Sequence, residues 1–476
     1  MTTASTAAAT AEVSEIDATA RGPLSLLIAS GLVWLVLSGL LALVNLLQAH
    51  TPALLAHCPV FTYGRTHAMA ETAFIYGWAG NAGLAVGLWL LGRLGGSPLR
   101  ALNWAAVGAL FWNLGVFAGL VGIAVGEGTS IPYLQAPRAV QPLLAIAFGA
   151  VAIPGILAWL GRRQQATFAA QWYAVAALFL FPWLFTAAQI VSLWVTPRGV
   201  LQAIAAGWYV QGAWSLWLAP VALAAAYYLV PKITGRLIPA YDFAPVSFWT
   251  LVVIGGWTGG CHLIGGPVPA WVASIAIVAG VMLAFHYIVT LLNLRGAFTG
   301  SGTALKFVAF GVGAYVLGGI VDTVTSFRGF ALYTQFTWFT QAQSQLALYG
   351  AFTLTVFGAI YFLAPRLTGR AWPSSPLLRA HFAASVLGTI GLVAGLAVAG
   401  LTQGRDLAQA GIAFADIAAD TRVWLEVAAA SQALLIVGNA LLAYHFIRLV
   451  AAGLCPCVAS DTPVFRQPPA MEAPAS

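Results

Sequence analysis

The sequence predicts an all-α bundle of twelve membrane-crossing helices, and three observations carry that prediction. Only 7% of the 476 residues are charged while 61% are hydrophobic, with a mean hydropathy of +0.88. A soluble domain needs roughly 25% charged residues to solvate its surface, so this chain cannot face water all round. Apolar stretches of about 20 to 25 residues, enough to cross ~30 Å of hydrocarbon as helix, recur along the chain. Finally, the basic residues sort into alternate breaks between those stretches.

The elements follow in order. Residues 1–22 are rich in Ala, Thr, Ser and Glu with the single basic residue Arg21, and are expected to be a disordered N-terminal segment. Residues 23–450 form the transmembrane domain. Its first apolar run, from Pro23 to Leu47, is too long for a signal-peptide core and has no basic flank before it, so it reads as a retained span. The spans are 24–47, 68–92, 101–126, 140–160, 170–195, 208–230, 245–265, 271–294, 304–325, 340–364, 380–402 and 424–450. A tail of residues 451–476 closes the chain.

The distribution of positive charge tests this count. Arg21, Arg93, Arg100, Arg162, Arg163, Lys232, Arg236, Arg295, Lys306, Arg366, Arg370, Arg379, Arg448 and Arg466 fall on one side, together with both ends of the chain. Arg65, Arg138, Arg198, Arg328, Arg405 and Arg422 fall on the other. Cytoplasmic loops carry the excess of Lys and Arg, so both ends are expected in the cytoplasm and the number of spans is even. Trp104, Trp172, Trp208, Trp271 and Trp338, near span ends, suit anchors at the lipid–water interface. The net charge of +7 therefore reports topology, and no nucleic-acid partner is implied; lipid is the solvent.

Nothing in the chain resembles a soluble catalytic domain, a phosphate loop or a dinucleotide fingerprint. Most of the 50 glycines fall inside spans, where small residues let helices approach closely. No internal repeat emerges from the residues. The four cysteines form no evident disulfide framework, and Cys455-Pro-Cys457 is only a weak metal or redox motif in a tail.

An ionisable residue at membrane depth is costly and so is a functional candidate. Glu71, Asp322 and Glu426 are the acidic ones, and each is a candidate proton site. His67 lies four residues before Glu71, on the same helix face. Cys261-His262 could contribute to a soft-metal site only with donors from other helices. Gln211 and the run Gln341-Ala342-Gln343-Ser344-Gln345 suit hydrogen bonding between helices, whereas His286 and His445 stand alone and suggest no chemistry. The most polar external segment is 403–422, with Arg405, Asp406, Asp416, Asp420 and Arg422, expected to be a solvated loop.

Three segments, GWYVQGAWSLWLAPVALAAAYYLVPK (207–232), SFWTLVVIGGWTGGCHLIGGPVPAW (247–271) and QSQLALYGAFTLTVFGAIYFLAPRL (343–367), recur in the order and wording of a known family. GNALLAYHFIRL (438–449) adds a weaker echo. They resemble subunit I of the heme–copper oxidase superfamily, in particular the cbb-type cytochrome c oxidases and nitric oxide reductases, across spans two to twelve. That resemblance implies two hemes, a copper and the reduction of dioxygen or nitric oxide, within a respiratory complex of a bacterial inner membrane. It also implies a ligand set from which this sequence departs.

The family's copper-binding histidine of span six corresponds to Gln211, and its His-His pair of span seven to Cys261-His262. The tyrosine that cbb-type enzymes carry earlier on that span aligns with Gly255. The His-x-His pair of span ten that holds the two hemes corresponds to Gln343-Ser344-Gln345. The other low-spin axial histidine falls at Ala70, with His67 three residues earlier on the same face as a residual heme ligand. Asp322 takes the place of a glutamate near the active site. Glutamine is a poor iron ligand and one His beside one Cys is an incomplete copper site. At most one heme is therefore expected, with Trp214, Trp217 and Tyr349 filling vacated volume.

The expected function is that of an integral subunit of a respiratory or redox complex that does not itself reduce dioxygen. Its partners would be other subunits of the complex, such as a c-type cytochrome. Two alternatives stay open: an electron-transfer or oxidoreductase subunit with unusual heme ligands, and a proton or ion transporter on the same scaffold.

Overall fold

The computed structural model describes residues 2–163, 166–195 and 197–454, with side chains from Glu15 to Ala451. Among these residues the chain is helical without strands, and eleven helices are long and apolar enough to cross a membrane. We number the helical segments along the chain. They are α1 (Thr2–His50), α2 (Tyr63–Gly95), α3 (Leu102–Val125), α4 (Gln141–Leu160), α5 (Ala169–Trp194), α6 (Val200–Thr234), α7 (Ala244–Ile254), α8 (Ala270–Thr299), α9 (Thr303–Thr325), α10 (Trp338–Thr368), α11 (Ser375–Leu407) and α12 (Phe414–Leu454). Short 3-10 turns and the short helix Arg328–Thr334 join them.

Three helices form the centre. In α2, α6 and α10 the most apolar 18-residue window is 94%, 94% and 89% buried, against 39–50% in the other eight. Each of the three carries a π-helical stretch, at Ala73–Gly80, Trp214–Leu218 and Leu346–Thr353. Such bulges re-aim side chains within a helix and recur at functional sites. Each also ends in one signature, a basic residue three before a left-handed glycine: Arg93/Gly96, Lys232/Gly235 and Arg366/Gly369. The glycine N–H closes the helix on the fourth carbonyl back, at Gly92, Pro231 and Pro365. The chain therefore has a three-fold internal correspondence that its wording conceals. The repeat lies in burial and capping, which few fixed residue types record.

The outer helices pack on this core and on each other through small residues. On α11, Gly388, Gly391 and Gly395 face Leu435, Ser431 and Ala428 of α12, and a Cβ on Gly395 would lie 3.0 Å from the Trp424 carbonyl. Between α2 and α6, Trp112, Phe148, Phe181, Phe185 and Trp217 fill the interior around Tyr76, with the Phe181 and Trp217 rings only 3.8 Å apart.

Three expectations need correction. Span seven is not one continuous helix, because α7 stops at Ile254 and the chain continues as a 3-10 run, Gly255–Leu263. The cause is contact with α6: a Cβ on Gly259 would lie 2.3 Å from the Gly207 carbonyl oxygen, so backbone meets backbone there. Second, the N-terminal segment is not disordered, since α1 extends back to Thr2. Alanine is the strongest helix former, and Ile16, Asp17 and Ala20 are buried. Asp17 sits 3.5 Å from Arg93 and accepts from Trp89 Nε1 at 2.9 Å, so α1 is clamped to the end of α2. Third, 403–422 is mostly helix: α11 runs to Leu407 and α12 begins at Phe414. The tail with Cys455 and Cys457 lies outside the described residues.

Candidate functional sites

Two sites gather the residues singled out from sequence. The first lies where α6, the 3-10 run after α7, α8 and α9 meet. Gln211, Cys261, His262 and Asp322 line one small pocket with Thr258 and Tyr287, so these four come together. The pocket is nearly closed. Its free volume is about 10 Å³, the room that about one water takes. The Tyr287 ring packs so tightly on Gly319 that a Cβ there would lie 2.3 Å from it.

From α10, the Gln343 amide nitrogen donates to Asp322 Oδ1 at 2.8 Å and to Thr325 Oγ1 at 2.9 Å, so this side chain is tied to α9. Its own Oε1, like Nδ1 of His262, is buried without a partner. Gly255 leaves no room for a larger side chain such as tyrosine, since a Cβ on it would sit 2.5 Å from Ser215 Cβ. Among the described residues, no three or more His, Cys, Asp or Glu side chains are grouped to hold a metal.

The second site is a cavity of about 100 Å³ bounded by α1, α2, α10, α11 and α12. His67, Ala70 and Glu71 stand on one wall and Gln341, Gln345 and Tyr349 on another. The two glutamines of the Gln-Ser-Gln motif thus point to different places, Gln343 toward α9 and Gln345 into this cavity. His67 Nε2 is 3.5 Å from Glu71 Oε1, its Nδ1 is 3.3 Å from Asn45 Oδ1, and Tyr63 stacks on its ring. Glu71 also accepts a hydrogen bond from Gln135, in the loop between α3 and α4. In that loop, burial raises the Tyr133 phenol above its ordinary value and keeps it neutral. Tyr349 donates to Asn439 Oδ1 at 2.6 Å.

Other expected residues fall elsewhere. Glu426 lines neither site; it is exposed and pairs with Arg422 at 2.9 Å, one turn away. Trp217 belongs to the aromatic cluster, Trp214 packs on Tyr315, and Tyr349 borders the cavity without closing it. Trp338 also lines the cavity instead of anchoring in lipid, whereas Trp104 and Trp271 are exposed at helix ends. His286 is buried between Ser247 and Tyr315. His381 drew no attention in the sequence, yet it is fully buried and bonded to Tyr361 at 2.9 Å. Its signal was a histidine at the start of an apolar span.

Comparison with known proteins agrees with this architecture. The chain matches the family described as Cytochrome C and Quinol oxidase polypeptide I over residues 23–435. It is 24% identical to cytochrome c oxidase subunit 1 of Rhodobacter capsulatus over 444 residues, covering 88% of this chain and 83% of the relative. It is also 24% identical to a cbb3-type cytochrome c oxidase subunit of Stutzerimonas stutzeri over 370 residues, covering 75% and 78%. A solved heme–copper terminal oxidase dimer superposes with a TM-score of 0.69 at 14% identity, covering 93% of this chain and 86% of that one. A match over most of the chain settles the matter of kinship: this is a membrane protein of the cytochrome c and quinol oxidase polypeptide I family.

Proposed function

We propose that this chain is an integral subunit of a respiratory or redox membrane complex that has given up the family's copper and high-spin heme. In this reading it does not itself reduce dioxygen. One observation carries it: the Gln343 amide is hydrogen-bonded straight to Asp322 and Thr325, beside a pocket with room for about one water. A heme between α9 and α10 would need that contact broken, and a copper would have one imidazole, one thiol and an amide as donors. These residues do not fit the family's binuclear centre.

The other cavity is the only one of the two with room to spare. His67 and Gln345, which both line it, are the residues that would hold a single heme there. Its 100 Å³ is small beside the roughly 300–1,000 Å³ of ordinary small-molecule sites, so we expect at most one heme, and weakly held. The broken seventh segment still counts as a crossing in this account. Eleven α-helical and nine 3-10 residues reach about 34 Å at ~1.5 and ~2.0 Å per residue. Twelve crossings would put both ends on one side; the bias of Lys and Arg supports the cytoplasmic side, and the bacterial source of the relatives supports a bacterial inner membrane.

The chain's contribution is then its scaffold, with partners such as a c-type cytochrome supplying the redox centres. Purifying the tagged chain gently from its native membrane tests this. A stoichiometric heme-bearing partner is expected to co-purify. A chain that turns over oxygen on its own contradicts the proposal.

A further inference from the structure

We infer that the groove between α9 and α11 binds an anionic phospholipid, drawn from the leaflet on the basic-rich side of the bundle. The groove shares no lining residue with either site above, so the inference stands apart from the subunit reading.

α9 and α11 form its walls, and the buried helix α10 lies behind them, presenting Leu346, Gly350 and Leu354. Its volume of about 870 Å³ lies within the roughly 300–1,000 Å³ of ordinary ligand sites. Small residues make the recess. A Cβ on Gly313 would meet only the Phe298 ring, at 3.7 Å, so the space in front of this glycine is open.

Charge is confined to one end. Lys306, on the first turn of α9, lines the mouth and is exposed, and the exposed Arg379 stands one turn before Phe382 of the opposite wall. Both belong to the side on which Lys and Arg collect. Among the described residues Lys306 has no acidic partner. The other polar side chain in the groove, Thr389, donates to the Ser385 carbonyl at 2.6 Å, so nothing deeper needs a hydrogen bond. The ligand that fits is anionic at one end and hydrocarbon along the rest.

Length selects the occupant. From Lys306 to Leu317 the groove follows α9 for about 16 Å, and from Phe382 to Ala394 it follows α11 for about 18 Å, at ~1.5 Å per residue. That is about half of a ~30 Å hydrocarbon core, the depth of one leaflet. A phospholipid whose headgroup meets Lys306 reaches this far with its acyl chains, whereas a partner's crossing helix would need a seam through the whole thickness. Lipid tails are as apolar as the groove walls, so burial alone does not favour this lipid over its neighbours. Selection comes from the shape of the recess and from the charge at its mouth. One basic side chain near an anionic headgroup is worth about fivefold in affinity.

Native mass spectrometry of the full chain tests the inference, with the protein delipidated in detergent and titrated with dioleoyl-phosphatidylglycerol or dioleoyl-phosphatidylcholine. The two lipids share their chains and differ in the charge of the head. The parent is expected to bind its first phosphatidylglycerol at least about fivefold more tightly than its first phosphatidylcholine. Lys306→Gln is expected to lower the affinity for phosphatidylglycerol about fivefold and to leave phosphatidylcholine unchanged. Gly313→Leu fills the recess and is expected to lower both. Arg100→Gln, at an exposed basic residue on the same side but outside the groove, leaves both unchanged. Because Lys306 is exposed, its variant decides the matter if Gly313→Leu does not fold. Equal affinities of the parent for the two lipids, or a Lys306→Gln chain that keeps the parent's preference, overturn the inference. So does a polypeptide, in place of lipid, that stays with the parent purified gently from its native membrane and is lost from Gly313→Leu.

Discussion

Replacing Gln343 with Met keeps the volume of the side chain and removes its amide, so it isolates the two hydrogen bonds that close the first site. One goes to a carboxylate at 2.8 Å and one to a hydroxyl at 2.9 Å. Hydrogen bonds to charged groups contribute about 1.5–3 kcal/mol and neutral ones about 0.5–1.5, whereas measured values between membrane helices average nearer 0.6. The partnerless Oε1 is lost at no cost in bonding and offsets part of this. A destabilisation of about 1–3 kcal/mol is therefore expected. Unfolding of purified protein in detergent, followed by tryptophan fluorescence, measures it. The stronger form is a double-mutant cycle with Asp322→Asn. Groups in direct contact couple by roughly 0.5 kcal/mol or more, and independent ones add within about 0.3–0.5. Additive effects would mean that the amide does not meet the carboxylate, and the account of a closed site would fail with them.

Two further outcomes follow from the packing. Gly259→Ala would place a Cβ 2.3 Å from the Gly207 carbonyl oxygen, so a loss above about 2 kcal/mol is expected, read as a lower melting temperature. A neutral result would contradict the close contact of the 3-10 run with α6. Asp17→Ala leaves Arg93 facing a site without its carboxylate and Trp89 Nε1 without an acceptor. A cost of about 1–3 kcal/mol is expected for the buried indole N–H left unpaired, and an unchanged unfolding midpoint would show that the start of α1 is not clamped.

The bundle was legible in the sequence because hydrocarbon permits so few solutions. Length and apolarity located eleven of the twelve expected spans on helices long enough to cross, the seventh being the broken segment. What escaped was decided by contacts between helices. The glycines of 255–260 could not be told from ordinary small residues in a span until the backbone of α6 was seen against them. Asp17, in a polar and Ala-rich stretch, became structural only through Arg93 and Trp89. The convergence of Gln211, Cys261, His262 and Asp322 was implied by resemblance to a family, and the structure places them around one pocket. No reading of residues alone could say that the pocket is almost filled. Glu426 misled because a carboxylate near a span end looks the same whether it faces lipid, water or an arginine. His381 escaped, and His445 read as standing alone, because their partners, Tyr361 on α10 and Ser374 in the loop before α11, come from elsewhere in the chain.

The central claim is that the family's binuclear centre is absent from this chain. Absorption spectra and elemental analysis of the detergent-purified protein test it most directly. The account predicts no copper and no more than one heme per chain, any such heme being lost on His67→Ala. Two hemes with a stoichiometric copper would contradict it.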